Sequence, residues 1–125
     1  MKDVEIRKIE SLSVDERGDI TSWRVDHPES ILVIRRKKGT VSGNHYHKGE
    51  DIAKNPEIFF VLKGKINLKL KNIKTGEEKE MIIDGLTELT IYPYIVHKLE
   101  ALEDTVFIES QKEESSYKDV YKHEL

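Results

Sequence analysis

The sequence predicts an all-β fold, an antiparallel sandwich or barrel. Three observations carry this. Apolar runs of strand length recur about ten times at roughly regular intervals. Gly, Pro and Asp fill the gaps between them, as turn chemistry requires. No long stretch has the 3.6-residue apolar period of an amphipathic helix. A chain of 125 residues makes one domain with a core large enough to stand without staples. None is available, because cysteine is absent. The expected layout is a single domain over residues 1–125, with its core over 30–111 and a tail over 112–125.

Taken in order, Val4, Ile6 and Ile9 suggest an opening edge strand. Val14 to Asp19 reads as a turn bending at Gly18, and Ile20 to Val25 as a strand holding the sole tryptophan, Trp23. Asp26 to Ser30, with Pro28, is a second turn in which His27 is a solvated loop residue, since the residue before a proline resists helix. Ile31 to Lys37 begins apolar on both faces, the mark of a strand buried on both sides. Val41 to His47 follows, and then a nine-residue polar loop, Lys48 to Pro56. Ile58 to Leu62 is apolar throughout and reads as central. In Lys65 to Lys71, Ile66, Leu68 and Leu70 alternate with lysines and Asn67, the pattern of a half-buried strand. Further strands are expected over Glu78–Asp84, Thr87–Tyr92, Tyr94–Glu100 and Thr105–Glu109. Beyond Gln111 the polar chain is either a short docked helix or a loose tail, and His123 within it is solvated.

Charge excludes several partners. The net charge is −3, with Lys and Arg spread among as many acids, so neither nucleic acid nor a membrane surface is expected. No apolar run approaches the roughly 20 residues of a membrane span. The opening MKDVEIRKIE lacks the apolar region of a signal peptide. A cytoplasmic location is expected.

The chemistry gathers around Gly39 to Gly64. His45 and His47 are one residue apart, so on a strand both imidazoles share a face. Glu57, Glu50 and Asp51 are nearby carboxylates able to complete a metal site with them. His97 lies between Ile95 and Leu99 on one strand face. That apolar setting aims it inward, where an imidazole needs a partner; taken alone, it also reads as a packed core histidine.

Two spacings are informative. Gly39 is followed by five residues and His45-Tyr46-His47, and Glu57 by six residues and Gly64. Downstream come Gly85, Pro93 and, four residues after the proline, His97. The sequence resembles the cupins, whose two motifs have this form. The resemblance implies a double-stranded β-helix, the jelly-roll barrel, with a polar or helical C-terminal tail. It also implies a divalent metal (Fe, Mn, Ni, Co or Zn) on His45, His47, Glu57 and His97. The spacer between His47 and Glu57 is nine residues, longer than the motif's usual three to five. Glu50 and Asp51 are then expected in an inserted loop at the barrel mouth.

Two further stretches resemble cupins that isomerise or epimerise nucleotide-linked keto-sugars: Asp15-Glu16-Arg17-Gly18, and Ser42-Gly43-Asn44-His45-Tyr46. The Tyr-containing tail from Glu113 to Tyr121 resembles the ketoisomerases of that group. Ser42 stands where that group has a phosphate-contacting arginine. This likeness implies a small sugar-like substrate and metal-assisted carbonyl polarisation. Tyr92 or a carboxylate of the spacer would carry the proton, and His45 would be the base if the site holds no metal. The same ligand set also suits an iron-dependent dioxygenase or a non-enzymatic binding cupin. A homodimer covering Ile31–Ile34 is expected.

Overall fold

The computed structural model describes residues 1–26 and 28–125; His27, expected in a loop, lies outside the described residues. The chain begins with β1 (Val4–Lys8), β2 (Ser13–Asp15), β3 (Gly18–Ile20), β4 (Ser30–Arg36) and β5 (Val41–Tyr46). A 3-10 turn at Ile52–Lys54 precedes β6 (Glu57–Lys63). Then follow β7 (Lys65–Asn72), β8 (Glu78–Asp84), β9 (Thr87–Ile91), β10 (Ile95–Ala101) and β11 (Thr105–Gln111). The strand β12 (Tyr121–Lys122) comes last.

Ten of these strands form two five-stranded sheets, ordered β1-β9-β6-β11-β4 and β12-β5-β10-β7-β8, while β2 and β3 pair as a separate hairpin. Neighbouring strands are antiparallel in both sheets. Two such sheets packed face to face make the expected jelly roll. Alternation supplies its core. Ile66, Leu68 and Leu70 of β7 are at most 1% exposed and pack with Phe59, Val61, Leu89, Ile91 and Phe107 from the opposite sheet. Each fully buried side chain of this kind contributes about 1.5–3 kcal/mol. Among the described residues, no helix is long and apolar enough to cross a membrane.

Three expectations need correction. The stretch Ile31–Lys37, read as buried on both sides, is β4 at a sheet edge. It pairs only with β11, and Ile31 and Val33 are 46% and 61% exposed. Apolar residues on both faces mark an edge whose outer face is bare in the single chain. The strand expected over Ile20–Val25 ends at Ile20, because the turn before it is the tight hairpin β2–β3. Trp23 instead lies on the sheet's outer face, stacked on Phe60 at 5.2 Å with its Nε1 donating to Glu88. The tail is neither helix nor loose coil: it runs extended into β12, which pairs with β5.

Candidate metal and catalytic site

His45 and His97 face each other across the β5–β10 ladder. The two strands approach so closely there that a Cβ at Gly43 (φ +91°) would overlap the His97 carbonyl oxygen. His47 follows directly after β5, and its carbonyl accepts from Tyr94 N at 2.7 Å. Glu57 begins β6 in the opposite sheet. The barrel therefore closes three imidazoles from one sheet around one carboxylate from the other. The donor atoms of His45, His47, Glu57 and His97 all lie within 4.8 Å of one another. His47, Glu57 and His97 are 3–4% exposed, and His45 is half-buried.

The tautomers follow from the partners. The Asp119 carbonyl can only accept, so the His47 Nδ1 beside it at 2.5 Å carries a proton. The Ile95 carbonyl, 3.1 Å from His97 Nδ1, requires the same there. Both Nε2 atoms then turn toward Glu57 Oε1, at 2.5 Å from His47 and 3.3 Å from His97. Despite that short distance, neither His47 Nε2 nor Glu57 Oε1 has an aligned hydrogen-bond partner. A neutral imidazole lone pair beside a buried carboxylate oxygen needs a positive charge between them, either a proton or a metal ion. Imidazoles whose other nitrogen donates to a backbone carbonyl are the usual dress of a metal ligand. The four residues therefore fit a divalent cation of the type that imidazole and carboxylate hold.

The electrostatics agree. Burial opposes charge on Glu57, but His97, His47 and Lys54 outweigh it and hold its carboxyl well below the usual range. Burial also opposes charge on His47, yet the Glu57 carboxylate and the Asp119 carbonyl raise its pKa. Burial lowers His97. Burial, reinforced by His97 and His47, pushes His45 down to about 4.

The other expected residues lie elsewhere. Glu50 is turned out, accepting from the Tyr121 hydroxyl at 3.1 Å. Asp51 is occupied by Ser115 Oγ, at 2.7 Å, and by the Ser116 and Ala53 amides. Glu57 is thus the carboxylate that meets the histidines. Tyr92 is a correction: it follows Glu88 and Thr90 on the face opposite Leu89 and Ile91. There it lines a cleft of about 540 Å³ with Arg7, Arg24, Glu88 and Lys112, away from the histidines. Ser42 accepts from Arg36 Nε at 2.8 Å, which brings a guanidinium to the position where the resemblance places an arginine.

Sequence reasoning missed Lys54, Glu109 and Asp119. Lys54 Nζ lies 2.9 Å from Glu109 Oε1 and 3.6 Å from Glu57 Oε2. Glu109 shares the inward phase of Phe107, and that was the available signal: an acid on an apolar strand face. Burial and the Glu57 charge, against the pull of Lys54, push its pKa up to about 7. Asp119 binds the Lys48, Gly49 and Asp51 amides at 2.8–3.0 Å, and no local pattern announces it.

Fold and site together define a cupin: a jelly-roll barrel with a His-x-His, Glu, His cluster inside. Residues 13–119 match the model of the polysaccharide biosynthesis C-terminal domain, and the chain belongs to that family. No curated protein sequence matches it. Among solved structures it is similar to QdtA, a sugar 3,4-ketoisomerase from Thermoanaerobacterium thermosaccharolyticum in complex with TDP. That likeness has 20% identity and a TM-score of 0.77 over 98% of this chain and 90% of that one. A dTDP-4-dehydrorhamnose 3,5-epimerase from Sulfolobus tokodaii matches at 20% identity and a TM-score of 0.66, over 100% and 73%. The capsular polysaccharide assembling protein CapF of Staphylococcus aureus matches at 25% identity and a TM-score of 0.66. This match covers 95% of this chain and 33% of CapF.

Proposed function

We propose that the chain is an isomerase or epimerase of a nucleotide-linked keto-sugar, with a divalent ion held by His45, His47, Glu57 and His97. The observation that carries this reading is the convergence of three imidazoles on one buried carboxylate. It occurs inside a fold shared with enzymes described with TDP and with TDP-4-keto-6-deoxyglucose.

Bound there, the ion supplies Lewis-acid polarisation of a carbonyl. The remaining steps belong to the chain. His45 is the least buried of the four. With its pKa near 4 it is neutral at physiological pH and offers a lone pair. His47 and His97, fixed by the Asp119 and Ile95 carbonyls, orient Glu57 and stay dry. Glu109, with its pKa near 7, exchanges a proton readily at neutral pH. Arg36, at Ser42, offers a guanidinium suited to a diphosphate. Tyr92, in its outer cleft, has no part in this reading.

The test is conversion of TDP-4-keto-6-deoxyglucose, followed by proton NMR with chelated and with metal-reloaded protein. A new keto position or inverted centre, lost on chelation and restored by metal, is the expected result. Conversion that survives chelation and disappears in His45→Ala would assign the base role to His45 without a metal. No conversion under either condition contradicts the reading.

A further inference from the structure

The two oxygens of Glu57 face different partners. Oε1 faces the histidines, and Oε2 faces the Lys54 ammonium at 3.6 Å. Lys54 is 9% exposed, and its second partner, Glu109, is 3% exposed. An ammonium is rarely buried unless paired; this one is shared between a carboxylate of the cluster and one outside it.

Its delivery is built. Lys54 ends a 3-10 turn capped by Asp51, whose carboxylate accepts from Ala53 N at 3.0 Å. Asp51 is itself fixed by Ser115 Oγ and, through its amide, by Asp119. The turn occupies the spacer that exceeds the usual motif length, so the additional residues carry a cation into the barrel. A lysine beside a divalent ion weakens the ion's binding by Coulomb repulsion, so a gain in metal affinity does not explain it. Engaging the second oxygen does. A carboxylate with both oxygens free can chelate a metal and fill an additional coordination position.

We infer that Lys54 is a positioning residue that confines Glu57 to ligation through one oxygen and so keeps a coordination position open for a substrate oxygen. This inference rests on the reading of the four-residue cluster as a divalent-cation site. The probe is cobalt(II), loaded into the purified full chain and read by its visible d–d absorption, which weakens as coordination number rises. Lys54→Met lowers the molar absorbance about twofold relative to the unaltered protein. Lys54→Arg, which keeps the charge, restores it. Glu109→Gln, which disturbs the same buried pair but leaves Lys54 facing Glu57, keeps the original spectrum.

If the unaltered protein binds no cobalt, the metal reading falls and this inference with it. If cobalt binds and Lys54→Met leaves the spectrum unchanged, the inference alone is overturned. Should Lys54→Met fail to fold, X-ray absorption fine structure on the unaltered cobalt protein decides the matter. A one-oxygen carboxylate supports the inference, and a two-oxygen carboxylate overturns it.

Discussion

His47 and Glu57 need a positive charge between them, and Glu50 does not take part. His47→Ala should weaken cobalt or zinc binding about 100-fold or more, while Glu50→Ala leaves it unchanged; isothermal titration calorimetry reads both. Asp119 acts at the same scale through its backbone and its side chain. Burial alone would raise its pKa, but three loop amides hold it below the ordinary 3.8. A carboxyl depressed in the folded state contributes stability that is present above pH 3.8 and lost as pH falls through the folded value. Asp119→Asn should cost on the order of 2 kcal/mol at neutral pH. It should also flatten the loss of stability between pH 5 and pH 3, as measured by urea midpoints. The four residues that cluster were legible because a two-residue spacing and fixed offsets to glycine single them out. Asp119, 72 residues from the histidine it orients, was not, because a contact across the barrel leaves no local period. Tyr92 was a candidate with no spacing behind it, and the structure places it in the outer cleft with Arg7, Arg24 and Lys112.

At the scale of elements, strand phase was the reliable signal and edges were not. The β7 alternation predicted its buried face directly, and Leu68→Ala there should cost about 2–5 kcal/mol, read as a lowered thermal midpoint. Gly43 is where β5 and β10 pinch together, so Gly43→Ala should destabilise the fold and displace His45 from His97. Paired histidine ring resonances in NMR spectra report that displacement. Ile31–Ile34 looked central because apolar residues on two faces do not distinguish a covered strand from an edge awaiting cover. The tail escaped reading because its order comes from Asp119, Ser115 and the Tyr121–Tyr46 stack at 5.5 Å, each closing over a long sequence separation. The spacer loop is held by the same contacts, which makes the tail part of the site's support.

For the whole molecule, an antiparallel sandwich or barrel was visible from strand count, turn chemistry and the absence of helix period, and the resemblance carried by the two motifs narrowed it to the jelly roll. The fold alone leaves chemistry open; the four-residue cluster narrows it. The exposed Ile31 and Val33 on the open β4 edge favour pairing of two copies through like edges. Val33→Glu should then shift the sedimentation coefficient from dimer to monomer, and an unchanged coefficient would reject that edge. On the proposed reading, a proton beside a sugar carbonyl is removed and returned while the ion held by His45, His47, Glu57 and His97 would polarise that carbonyl. Solvent exchange tests this most directly, because it registers proton removal even without net conversion. In heavy water, the metal-loaded protein should place deuterium beside the carbonyl of TDP-4-keto-6-deoxyglucose, and Glu57→Gln should slow this about 100-fold or more. Equal exchange in the two proteins, or none above the uncatalysed rate in either, would contradict it.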